Sequence, residues 1–126
     1  MTDDELLAAA DAIAGRAYAP YSRFHVGCAV LTRDGHVIEG VNVENAAYPL
    51  GVCAERTAFS RAVVEGYRPG EFLVAAITAS PCGGCRQWLA EMGVERVLFR
   101  NGGRIVRMTV DELLPEQFDA GALDAI

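Results

Sequence analysis

No stretch of the sequence approaches the roughly 18 consecutive apolar residues of a membrane-spanning helix, and no cluster of Lys or Arg stands along it. The first absence argues against a transmembrane span. The second, with a formal net charge of −6, excludes a protein that grips nucleic acid by its phosphates, so a small, uncharged or weakly charged substrate is expected. Asp3, Asp4 and Glu5 stand where a signal peptide would be basic, and a cytoplasmic protein is expected. Histidine is scarce: His25 and His36 are the two, and neither has a second candidate ligand at metal spacing. Repeats, low-complexity segments and linkers are also missing. In a reducing compartment the four cysteines are more naturally metal ligands or buried thiols than disulfides.

What is present is a chain of 126 residues, 52% hydrophobic and 22% charged, which predicts one compact domain over residues 1–126. Cys82 and Cys85 are three apart, a spacing that brings both sulfurs to one side of a helical turn, and Pro81 suits the first turn of that helix. Alone, such a pair fits a closed zinc site or a redox couple as well as it fits a catalytic metal. Cys53 and Glu55 change the reading. Three thiolates leave a tetrahedral zinc one open position, and a carboxylate beside it is what a catalytic site needs. Cys28 lies in an alternating apolar run and reads as a small core residue.

Two helical residues are about 200° apart, so Cys53 and Glu55 can reach one site only from the start of a helix. Pro49 and Gly51 break the chain just before Cys53, and Ala54 to Glu65 reads as helix, with Ala54, Ala58 and Ala62 as a small-residue ridge flanked by Phe59 and Val63. Both cysteine pieces thus sit at helix starts, where free N–H groups and the dipole favour thiolate. Three thiolates on Zn²⁺ still leave a net charge of about −1. Arg56 and Arg86 are the candidates to offset it, and Arg86 reads equally well as a solvent-facing helix arginine.

The rest of the chain supplies elements around this site. Thr2 and Glu5 make a capping box for a first helix of about four turns, with Leu6, Leu7, Ala10, Ile13 and Ala14 at helical spacing. Val26, Cys28 and Val30 alternate, Asp34-Gly35 predicts a two-residue turn, and Val37, Glu39, Val41 and Val43 continue a β-hairpin. Asn42 and Glu44 share the face opposite Val41 and Val43. Strands follow at Phe72 to Thr78, Val94 to Phe99 and Arg104 to Val110, with a second metal helix from Pro81 to Met92 that stops at Gly93, a turn at Asn101-Gly102-Gly103, and a short helix from Asp111. This order predicts a three-layer α/β/α sandwich around a mixed five-stranded sheet.

Cys53-Ala54-Glu55-Arg56-Thr57-Ala58 and Pro81-Cys82-Gly83-Gly84-Cys85-Arg86-Gln87 resemble the small, homotetrameric cytidine deaminases, a zinc-deaminase class with C-x-E and P-C-x-x-C elements. Pro20-Tyr21-Ser22-Arg23-Phe24, Asn42-Val43-Glu44-Asn45 and Leu113-Leu114-Pro115-Glu116-Gln117-Phe118 match in order and approximate spacing, so the likeness spans nearly the whole chain. The resemblance implies hydrolytic deamination of cytidine and 2′-deoxycytidine, a pyrimidine-salvage reaction, with zinc on Cys53, Cys82 and Cys85 and Glu55 carrying protons. It implies substrate contacts from Phe24, Asn42, Val43, Glu44, Ala54 and Phe118: Asn42 and Glu44 on the ribose hydroxyls, Phe24 against the pyrimidine, and Phe118 reaching into a neighbouring subunit of a homotetramer. Phe118 reads otherwise as ordinary core. A related deaminase for an aminonucleoside antibiotic or modified pyrimidine uses the same zinc chemistry, but Asn42-Val43-Glu44-Asn45 argues for a ribose. The chain departs from the family in one place: Ala79-Ser80 alone joins Thr78 to Pro81, where several more residues are usual.

Overall fold

The computed structural model describes residues 1–124. Helix α1 (Asp3–Ala14) begins at the expected capping box: Thr2 Oγ1 accepts the Glu5 N–H at 3.2 Å, and Glu5 Oε1 accepts the Thr2 N–H at 3.0 Å. Leu6, Leu7 and Ala10 form its buried face. Strands β1 (Gly27–Thr32) and β2 (Val37–Val41) pair antiparallel, as the alternation predicts. Their connection is longer than the expected two-residue turn. The Thr32 N–H donates to His36 O at 2.9 Å, closing a three-residue loop of residues 33–35 with Gly35 at φ +89°. The physical reason is local: the Thr32 hydroxyl accepts the His36 N–H at 2.9 Å and donates to Asp34, so Thr32 closes the loop itself.

After a short 3₁₀ turn (Tyr48–Leu50) come α2 (Ala54–Val64), β3 (Phe72–Ile77), α3 (Gly83–Met92), β4 (Arg96–Asn101), β5 (Arg104–Met108), α4 (Val110–Leu113) and α5 (Ala120–Asp124). The sheet runs β2-β1-β3-β4-β5; only β3 and β4 are parallel, so the five strands form the expected mixed sheet. Several boundaries differ from the sequence reading by a residue or two, and three of the shifts have a clear local cause. Pro81 precedes α3, because Cys82 with its extended backbone is the N-cap. Strand β4 starts at Arg96, since Val94 is still held by the end of α3 through Leu89 O. Strand β5 stops at Met108 because Thr109 and Glu112 form a second capping box, which starts α4 at Val110.

The pleat divides the core into two layers. Ala29, Val74, Ala76 and Leu98 face α1. Cys28, Val30, Ala75, Ile77, Val97 and Phe99 face α2, α3 and α4. Cys28 is a fully buried core residue, as its place in the alternating run suggests. A bulge between Leu31 and Thr32 in the β1–β3 pairing turns Phe72 to the second face, where its ring meets Phe59 edge-on at 5.2 Å.

Close backbone approach holds α2 against the sheet. Ala54, Ala58 and Ala62 are wholly buried, and a Cβ on Gly40 of β2 would collide with Ala58 N and the Ala54 carbonyl. Phe59 flanks this ridge in the core, whereas Val63 lies at its exposed edge. Because α2 begins at Ala54, this contact also sets where Cys53 stands. We expect Gly40→Ala to destabilise the protein by ~2 kcal/mol or more, since backbone atoms on both sides cannot yield cheaply. Urea unfolding would check this; an unchanged midpoint would show that α2 is not held this way.

Candidate active site

The two cysteine pieces occupy equivalent places. Cys53 is the N-cap of α2, with φ −74° and ψ 158°, and Cys82 is the N-cap of α3, with φ −69° and ψ 169°. An extended cap residue points its side chain back over the free N–H groups of the first turn, and the Cys82 sulfur accepts the Cys85 N–H at 3.4 Å. The sulfurs of Cys53, Cys82 and Cys85 all lie within 4.8 Å of one another. Among the described residues no other set of three such donors is this close. Glu55, in the first turn of α2, falls outside the set yet is only 3% exposed. The geometric condition on Cys53 and Glu55 is thus met at the helix start.

In the protein alone this cluster is electrostatically strained. Burial, then the nearby Glu55 carboxylate, pushes the Cys85 thiol far up; burial likewise raises Cys53. Burial also raises Cys82, but hydrogen bonds, chiefly from the Cys85 N–H, outweigh it and hold that thiol below its ordinary value. Glu55 is raised by burial. Thiols crowded in this way are a ready-made seat for a soft divalent cation, which displaces their protons.

Arg56 fits the same picture. Burial opposes its charge, but the neighbouring Cys85, Cys53 and Cys82 outweigh that and raise its pKa. Its Nε is buried without a hydrogen-bond partner, and a Cβ on Gly84 would collide with its Nη2. A guanidinium charge held close to three sulfurs, with its Nε buried and unpaired, is an observation that the residues suit bound zinc: the arginine offsets the excess thiolate charge. Arg86 does not share this role. Its Nε donates to Pro81 O at 3.0 Å, Nη1 to Leu113 O at 3.0 Å and Nη2 to Ser80 Oγ at 3.4 Å, so it ties the turn before α3 to the end of α4.

Beside the sulfurs opens a cleft of about 330 Å³. Cys53, Ala54, Glu55 and Cys82 form its floor, Phe24, Asn42 and Glu44 one wall, and Ala79 and Ser80 another. The Ala79-Ser80 segment therefore lines the site directly. Asn42 Oδ1 accepts the Val26 N–H at 2.8 Å, and Nδ2 donates to Phe24 O at 2.8 Å. Val43 adds no side chain to the cleft. Its backbone exchanges N–H and C=O with Val52 at 2.9 and 2.8 Å, and that pairing registers Asn42 and Glu44 against the adjacent Cys53. Phe118 lies outside the cleft of its own chain, 58% exposed, with Gln87 Nε2 donating to its carbonyl at 2.7 Å. Sequence reasoning did not single out Ser22, Val26 and Gly84; the motif around Phe24 was the signal available for the first.

A buried carboxylate beside three convergent thiols, set in a cleft at the carboxyl end of β3, defines a zinc-dependent hydrolytic deaminase. The family described as "Cytidine and deoxycytidylate deaminase zinc-binding region" matches residues 1–101. A cytidine deaminase of Halalkalibacterium halodurans is 48% identical over 113 residues, covering 82% of this chain and 84% of that protein. One from Sporosarcina psychrophila is 43% identical over 127 residues, covering 94% and 92%. The crystal structure of cytidine deaminase from Burkholderia pseudomallei superposes with a TM-score of 0.87 at 44% identity, covering 94% of this chain and all of that one. The chain belongs to the cytidine and deoxycytidylate deaminase family.

Arg56→Gln keeps all three sulfurs but leaves their charge uncompensated, so activating water takes a higher pH. We expect kcat/KM to fall roughly 10- to 100-fold with zinc retained, and the acidic limb of the pH–rate profile to move upward. A full-activity variant with an unchanged profile would show that Arg56 does not tune the metal.

Proposed function

We propose that the protein hydrolyses cytidine and 2′-deoxycytidine to uridine and 2′-deoxyuridine with release of ammonia. The observation that carries this reading is Glu55: buried, on the floor of the cleft, two residues from Cys53 yet outside the thiol set. A carboxyl so placed is free to move protons. Cys53, Cys82 and Cys85 hold the metal, and zinc bound there supplies Lewis acidity toward water. Glu55 takes a proton from the water whose oxygen adds to C4 of the ring and delivers it to N3; it then takes the second proton from the resulting C4 hydroxyl and passes it to the amine, so that the C4 carbonyl forms as the C4–N4 bond breaks and ammonia leaves.

Asn42 and Glu44 meet the ribose in this reading, Phe24 lies against the base, and the Ala54 backbone closes the floor. Val43 acts through its backbone by holding its two neighbours in register with Cys53. None of the arginines lines the cleft, which supports a nucleoside over a phosphorylated substrate. None of the four cysteines is in a disulfide, which supports a protein working in a reducing compartment such as the cytoplasm; no helix among the described residues is long and apolar enough to cross a membrane.

The assembly we infer is a homotetramer whose sites are completed by neighbouring subunits. Its support is the exposed ring of Phe118, together with exposed Leu50 and with exposed Tyr21 and Tyr48, which line a hollow that shares Ser22 and Glu44 with the cleft, apolar surface that a second copy would cover.

Glu55→Gln removes the proton carrier and no ligand, so zinc and fold should persist while turnover falls by roughly 10² to 10⁴. Steady-state ultraviolet assays with metal analysis read this, and near-normal turnover would end the mechanism. Phe118→Ala should raise KM about tenfold at unchanged zinc content. An active monomer in sedimentation, or a Phe118→Ala protein that only melts earlier, would contradict shared sites.

A further inference from the structure

We propose that Ser22 is a positioning residue for substrate, its one hydroxyl locking the carboxylate of Glu44 and the backbone of Phe24 into a single arrangement. The proposal rests on the reading above, in which Glu44 meets the ribose and Phe24 the base. Glu44 Oε1 accepts the N–H groups of Tyr21 and Ser22 at 3.0 and 3.1 Å. Glu44 Oε2 accepts the Ser22 hydroxyl, which itself accepts the Phe24 N–H at 3.0 Å. A hydroxyl has one donor and two acceptor sites, so this single oxygen serves both neighbours at once.

The loop it holds is not in a resting shape. Arg23, between Ser22 and Phe24, has φ +60°, a left-handed conformation uncommon for a residue with a side chain. Such a turn persists when its surroundings over-determine it. Here they are the Arg23 N–H on Ala19 O at 2.9 Å, Asn42 on Val26 N and Phe24 O, and the Glu44–Ser22–Phe24 chain. Ser22, Phe24 and Glu44 all line the cleft. Ionised acceptors make the stronger hydrogen bonds, and those to Ser22 are the leading reason the Glu44 carboxyl sits below its ordinary pKa. Without the hydroxyl, Glu44 Oε2 and the Phe24 N–H lose their shared partner. The ribose and base contacts then loosen together, while the sulfurs and Glu55 stay in place.

The test compares cytidine with 2′,3′-dideoxycytidine in the native enzyme and in Ser22→Ala, Ser22→Thr, Glu44→Ala and the Ser22→Ala/Glu44→Ala pair, with zinc content measured throughout. Ser22→Ala should raise KM for cytidine about tenfold, change kcat by no more than about twofold and leave zinc unchanged. It should also shrink the preference for cytidine over the dideoxy analogue. Ser22→Thr, which keeps a hydroxyl, should restore most of that preference, and Ser22→Ala should add nothing to it in the Glu44→Ala background. If Glu44→Ala abolishes the preference and Ser22→Ala leaves it intact, or cuts both substrates equally, Ser22 has no positioning role. If Glu44→Ala itself leaves the preference unchanged, the ribose reading of Glu44 fails and this proposal falls with it.

Discussion

Three sulfurs from two separate helices must meet within a few ångströms while a carboxylate two residues from one of them stays off the metal. The rest of the structure answers to that requirement. A continuous helix cannot satisfy it, because residues two apart point to opposite sides. The chain solves it by leaving Cys53 and Cys82 in extended backbone as N-caps, so that Glu55 and Cys85 enter from the first turns of their helices. Like-charged sulfurs repel, and the molecule offsets this with helix dipoles, free N–H groups and Arg56, admitted through the space that Gly84 leaves.

Placing two helix starts side by side is a packing problem, met by small residues. Gly40 lets α2 lie on the sheet backbone to backbone, and Gly27 does the same for α1, where a Cβ would strike the Ala10 carbonyl. The parallel pair β3 and β4 carries α3 on the same face as α2, so both helix starts open near the carboxyl end of β3. The Val43–Val52 pairing then brings Asn42 and Glu44 beside Cys53. The wall of the cleft and the metal seat are thus linked through backbone hydrogen bonds.

Much of this is legible in the residues. The Thr2–Glu5 capping box, the alanine ridge of α2, the glycine stop at Gly93 and the switch from period two to helical spacing each have a local cause that reads directly from neighbours in sequence. The failures are of two kinds. Some are local signals that lose to another reading: Thr109, inside the expected strand, makes a capping box with Glu112 just beyond it, and Thr32 closes the hairpin loop before Asp34-Gly35 can make a two-residue turn. Others depend on tertiary reach. Nothing adjacent to Arg86 says that it will span from Pro81 to Leu113, and Ser22 becomes informative only when Glu44, distant in sequence, accepts its hydroxyl.

One seat for one metal ion implies that catalysis follows its occupancy. The most direct measurement strips the protein of metal and returns zinc in steps while the loss of cytidine absorbance is followed. Activity should be absent at the start, rise linearly and level off at about one zinc per chain. Full turnover by the stripped protein, or zinc bound to saturation with no turnover of cytidine, would contradict it.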